Sequence, residues 1–125
     1  MNPDVFTIAA AWPAVTVALG SNPTRFWPFG LAPQNETRPY AVHQLVYGSP
    51  DNSLSCIPRE DLAGIQVDCY AKTVSAARNV AEALRDAFEA SHNHMTAHNG
   101  EDWEQSTGLY RVSMTFEFWT ARPSS

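Results

Sequence analysis

Three imidazoles, His92, His94 and His98, fall in one short stretch of this 125-residue chain. Imidazole nitrogens bind zinc, and a metal-bound water can serve as a nucleophile at neutral pH. A zinc site also needs a third or fourth ligand in fixed geometry and a second layer of hydrogen bonds that orients the rings. This stretch leaves a helix and crosses a turn, so spacing alone does not bring the rings to one point. His92-Asn93-His94 also spells the name of a nuclease motif. That motif is a ββα-metal unit with widely spaced ligands, and short strings match by accident. Exposed turn histidines are the plainer reading, and no metal is expected.

Two carboxylates, Asp68 and Glu117, fall on the polar faces of two strand-like segments. A catalytic pair would need a partner that shifts one pKa and a cleft that excludes water. The sequence shows no such cleft, so solvated or interface-facing charges are expected. The run Glu101-Asp102-Trp103-Glu104 lacks the ligand spacing of a calcium loop. There is no glycine-rich phosphate loop, no Gly-x-Ser-x-Gly elbow, and no cysteine matched to a histidine. No catalytic residue and no cofactor is expected. The aromatic residues say more. Trp27, Tyr40, Tyr47, Tyr70 and Trp119 exceed what so small a core can hold, and exposed aromatics on a sheet mark contact surfaces.

The elements that carry these residues are organised around Gly64–Ala90. Ile65, Val67 and Cys69 alternate with Gln66, Asp68 and Tyr70, the period of a strand with one buried face. Val74, Ala77, Val80, Ala81, Leu84, Ala87 and Phe88 then recur at helical steps, with Thr73 in the N-cap position. Upstream, Asn2-Pro3-Asp4 opens a helix with an apolar stripe of Val5, Ile8, Ala9 and Trp12. Pro13 opens a second short helix that Gly20 closes. Pro28 confines Arg25–Phe29 to an edge or bulge. Tyr40–Tyr47 reads as a centrally placed strand, with Ala41, His43, Leu45 and Tyr47 on one face. Gly48–Asp61 reads as a long loop, beyond a normal hairpin. Asn93–Ala97 is a possible strand, Asn99-Gly100 a turn signal, and residues 101–104 an acidic loop. Tyr110, Val112, Met114, Phe116 and Phe118 alternate cleanly along the last strand, before a frayed tail from Arg122.

Length allows one domain, taken as 1–125, with one modest core. No apolar run approaches the roughly 18 residues of a membrane span, and Met-Asn-Pro-Asp-Val-Phe lacks the basic start of a secretory signal. Eight basic residues face 13 acidic ones, a net charge of −5. The basic residues are scattered, which excludes tight binding to a nucleic-acid backbone but not a place beside DNA. Cys56 and Cys69 form no disulfide framework, and a reducing compartment fits them.

Several segments, in order, resemble tail-completion proteins of long-tailed bacteriophages, the tail-terminator-like group. They are Pro13–Gly20 (Pro-Ala-Val-x-x-x-Leu-Gly), Arg25–Pro28 (Arg-x-aromatic-Pro), Pro39–Val42, Gly48–Asn52 (Gly-Ser-Pro-Asp-Asn), Gln66–Thr73, and Thr107–Trp119 behind an alanine-rich helix. Cys69 stands where a branched apolar residue is usual. The resemblance covers nearly the whole chain. It implies a ring-forming subunit, often hexameric, that caps the finished tail tube, stops its growth and presents a surface to the head connector. It implies no catalytic residues.

The expectation is therefore an α+β domain: a mostly antiparallel sheet of about four strands with helices packed on one face. Expected partners are further copies of the chain, the tail tube protein and the head–tail connector or neck proteins. DNA would pass through an acidic lumen without specific binding. Expected contact residues are Asp51, Asn52, Leu54 and Ile57 in the long loop, received by Tyr70 and Trp119 on the next subunit. Its place would be the virion tail, assembled in the host bacterial cytoplasm. The alternatives are a head-closure or neck protein and, from the enzyme class, a small metal-dependent hydrolase using His92, His94 and His98.

Overall fold

The computed structural model describes residues 5–21, 24–31, 39–50, 60–91, 93–105 and 107–121, with the backbone alone at 48–50, 60–61, 94 and 119–121. The expected helix start at Asn2–Asp4 and the tail from Arg122 lie outside it, as does most of the loop before Tyr40.

α1 (Val5–Ala10) is followed, after Ala11 and Trp12, by α2 (Pro13–Leu19), which Pro13 begins. Val5 and Ala9, one turn apart, are buried in α1, with Ile8 and Trp12 packed against the core beside them. The long helix α3 (Val74–Ala90) starts where Thr73 accepts a hydrogen bond from the Ala76 N–H at 3.1 Å, one of the donors a helix start leaves unpaired. Its buried residues, Ala77, Val80, Ala81, Ala83, Leu84, Ala87 and Phe88, form the expected stripe.

Among the described residues five strands make the sheet, one more than expected: β1 (Phe26–Pro28), β2 (Tyr40–Pro50), β3 (Glu60–Ala71), β4 (His94–Glu104) and β5 (Leu109–Ala121). Their order is β1-β2-β3-β5-β4. All neighbours are antiparallel except the short β1, which runs parallel to β2. Arg25 fixes the entry to β1 by donating to the carbonyls of Pro39 (2.9 Å) and Ala18 (3.4 Å). α3 packs on β3, β5 and β4. Between them lie Ile65, Val67 and Cys69 of β3 and Val112, Met114, Phe116 and Phe118 of β5. Phe88 is the hub. Its ring meets Phe116 at 5.0 Å and Phe118 at 5.2 Å between centroids, both near edge-on, the arrangement the aromatic quadrupole favours.

Three sequence expectations are corrected. Tyr40–Tyr47 is not the centre of the sheet: β3 is, and β1 covers β2 only at Ala41–His43. Gly48–Asp61 is not all loop, because Gly48, Ser49 and Pro50 pair with Ala63, Leu62 and Asp61. β2 and β3 therefore form a long hairpin whose connecting residues, 51–59, lie outside the described residues. Finally, Asn99-Gly100 is not a turn and 101–104 is not a loop. β4 runs through both, with register shifts between Met95 and Ala97 and between His98 and Gly100. Bulges of this kind add a residue to one strand and break the side-chain alternation, which is why the pattern read as loop. Gly100 takes the second shift at φ 117, a conformation that glycine adopts without a steric penalty.

Candidate interaction surface

With the apolar sides of β3 and β5 turned to α3, their alternate residues form the opposite face, which no helix covers among the described residues. This face is polar but not loosely solvated. Asp68, Ser113 and Thr115 are 8%, 5% and 8% exposed. Gln66 donates to both Asp68 carboxylate oxygens at 3.2 and 3.3 Å. Asn99, projected by the second β4 bulge, donates to Ser113 Oγ at 3.3 Å and Thr115 Oγ1 at 2.8 Å. Arg111 donates to Asp102 across the β4–β5 ladder at 3.0 Å. Pairing of this kind lets polar groups lose water without a large penalty. The result is a shallow polar depression, lined by Gln66, Asn99, Asp102, Arg111, Ser113 and Thr115.

Aromatic rings border that depression. Tyr70 is half-buried and stacks on Tyr40, with centroids 5.1 Å apart and planes 20° apart. Burial, then the Asp68 charge, push the Tyr70 hydroxyl up to about 12, so it stays a neutral donor at physiological pH. Further along, the register shift between Leu45 and Tyr47 turns Tyr47 onto this face, away from the side of Leu45 that the alternation assigned it. Its ring lies over Gly64, where any Cβ would overlap it. Its hydroxyl continues to β5 and donates to Glu117 Oε2 at 2.9 Å. Tyr47, Gly64 and Glu117 are consecutive register partners on β2, β3 and β5, so one side chain ties three strands.

The structure separates the two carboxylates weighed as a catalytic pair. Asp68 stands opposite Ser113 and Glu117 opposite Gly64, four residues apart along the ladder and about 13 Å at the usual strand rise. His92 lies outside the described residues, and His94 is described only in its backbone, opposite Glu117. His98 is exposed and borders a gap between α3 and β4 with Arg78, Arg85 and Glu101. Arg78 grips Glu101 there through two hydrogen bonds of 2.6 and 2.7 Å, and that contact lowers the Glu101 pKa. Among the described residues, no three His, Cys, Asp or Glu side chains converge as a metal site requires. No described helix is long and apolar enough to cross a membrane.

Of the expected contact residues, Asp51, Asn52, Leu54 and Ile57 lie outside the described residues, in the connection of the β2–β3 hairpin. Trp119 is described only in its backbone, opposite Leu62, whereas Tyr70 pairs with Arg111. Eight residues of β5 separate these two positions, about 26 Å. Sequence reasoning missed the three-strand tie, although a glycine inside a strand signals a close approach. It also missed the exposed apolar side chains of Phe29, Leu31 and Trp103.

An uncovered, internally paired sheet face with aromatic borders is a surface for other proteins rather than a cleft for a small substrate. The comparisons agree with that class. Residues 3–121 match the family model described as Tail completion protein gp17, and the chain belongs to this family. Its fold is also that of a chain in the virion of a native gene transfer agent (GTA) particle. The TM-score is 0.69 at 10% identity, covering 94% of this chain and 92% of the other. No curated protein matches the sequence. Membership of this family makes the chain a structural protein of the virion tail, among other virion proteins.

Proposed function

We infer that the chain is the subunit of a tail-terminator ring that caps the tail tube, ends its polymerisation and joins it to the head connector. The observation that carries this is the family match over residues 3–121, nearly the whole chain. The chemistry supports it. A net charge of −5 suits a ring whose lumen passes DNA, because a negative wall repels phosphate. The β2–β3 hairpin supports a role for Asp51, Asn52, Leu54 and Ile57 in reaching the neighbouring subunit, with Tyr70 and Trp119 as receiving anchors, since aromatic residues dominate interface energetics. Such contacts join unlike patches on successive copies, as ring closure requires.

The test is tail assembly in cells that lack this chain. If the chain is a terminator, its loss leaves tubes of uncontrolled length that never attach to heads. Tubes of normal length that merely fail to attach would assign the chain to head closure instead.

A further inference from the structure

Two features at opposite edges of the sheet remain unused by that reading. At the β1 edge, Phe29 and Leu31 are 69% and 67% exposed. They are held in place: the Leu31 N–H donates to the Pro28 carbonyl at 3.0 Å, closing a tight turn, and the Phe29 N–H donates to the His43 carbonyl at 2.8 Å. At the β4 edge, a notch of about 200 Å³ opens between α3 and β4. Ala81, Met95, Val112 and Met114 form its apolar floor, and Arg78, Glu82, Arg85, His98 and Glu101 make its polar rim. An apolar cavity of about 150 Å³ accepts a benzene ring, so the notch has room for one phenyl group.

The two features stand in the same row of the sheet. Pro28 pairs with His43, His43 with Val67, Val67 with Met114, and Met114 with His98. Phe29 follows Pro28 directly, and both Met114 and His98 line the notch. Four strand spacings separate β1 from β4, about 19 Å, so Phe29 cannot fill the notch of its own chain. A second copy placed alongside the first brings the two together at one height. Strand direction agrees as well, since β4 runs opposite to β1 and the next copy's β1 would arrive antiparallel to it.

We propose that Phe29 of one copy seats in the α3–β4 notch of the next. The contact is heterologous, and repeated by rotation it closes a ring. Arg85 at the rim offers a guanidinium to the aromatic face, and the seated ring leaves water for the apolar floor of Ala81, Met95, Val112 and Met114. This proposal rests on the ring reading and names a contact through which the ring closes.

The experiment uses tails assembled with the full chain. In a Cys56→Ser background, the Phe29→Cys/His98→Cys double variant is treated with a short thiol-to-thiol linker. A ladder of covalent multimers is expected on denaturing gels, while each single variant stays monomeric. Phe29→Asp is expected to keep the wild-type circular dichroism and to lose about tenfold or more in tail incorporation, the effect of only about 1.4 kcal/mol per contact. An incorporated double variant that gives no ladder overturns the contact, as does normal incorporation of Phe29→Asp, and both leave the ring reading standing. Absence of the wild-type chain from tail ends overturns the ring reading and the contact with it.

Discussion

The Tyr47–Gly64 contact makes a prediction with an unusual sign. Gly64→Ala places a methyl group where the Tyr47 ring lies. The backbone of β3 is held on both sides by β2 and β5, whereas Tyr47 is 42% exposed, so the ring must swing away. It then loses its cross-strand packing, about 0.2–1 kcal/mol, and its hydrogen bond to Glu117, about 0.5–1.5 kcal/mol. Against that loss, alanine in a strand costs less chain entropy than glycine, by about 0.5–1 kcal/mol. The net for Gly64→Ala alone runs from near zero to a destabilisation of about 2 kcal/mol, centred on about 1 kcal/mol. In a Tyr47→Ala background the three atoms nearest the methyl group are gone, and the same substitution should stabilise the fold by about 0.5–1 kcal/mol. The coupling energy is therefore about 0.7–2.5 kcal/mol, the packing and hydrogen bond of Tyr47 together, within reach of a double-mutant cycle. Urea denaturation of the four proteins at neutral pH, followed by circular dichroism, measures it. If Gly64→Ala has the same effect with and without Tyr47, the two residues do not touch and the three-strand tie is wrong.

Other predictions follow from the core. Leu84 is fully buried on α3, so Leu84→Ala should cost about 2–5 kcal/mol, seen as a lowered denaturant midpoint; a neutral result would remove Leu84 from the core. Burial lowers the His43 pKa below 6.5, and its Nε2 is buried without a hydrogen-bond partner. The unfolded chain then binds the proton first, so stability should fall as pH drops below about 6.5 until the folded state also protonates. His43→Leu should flatten that part of a melting-temperature profile, and an unchanged slope would assign it elsewhere. Burial, and secondarily Asp68, push the Cys69 thiol up in pKa, so Cys69 should react with maleimide only as the protein unfolds in urea. Fast labelling of the native protein at Cys69 would reverse the facing of β3.

What was legible in the sequence followed from regular periods. Ile65, Val67 and Cys69, the β5 alternation and the α3 stripe each bury one face against one partner, so composition repeats at the period of the element. Thr73 marked the start of α3 because its cap depends only on local geometry. The first residues of β4 were read as a possible strand, but its continuation was lost because Thr96 and Asn99 stand at register shifts, and each shift moves the following residues to the other face. The same effect misassigned Tyr47, which follows a shift at Val46. The polar face was visible as alternation, but its burial was not. That depends on Asn99 reaching Ser113 and Thr115 across strands, a contact set by register rather than by sequence neighbours. The shared row of Phe29 and the α3–β4 notch is likewise a property of the assembled ladder alone.

The central claim is that this chain caps the tail tube as a ring. The most direct measurement is a reconstruction by electron cryomicroscopy of the head-proximal end of assembled tails. The account predicts a closed ring of copies of this chain, coaxial with the tube and seated on its last subunits. Tails that end in tube protein alone, or that carry this chain only on the head connector, would contradict it.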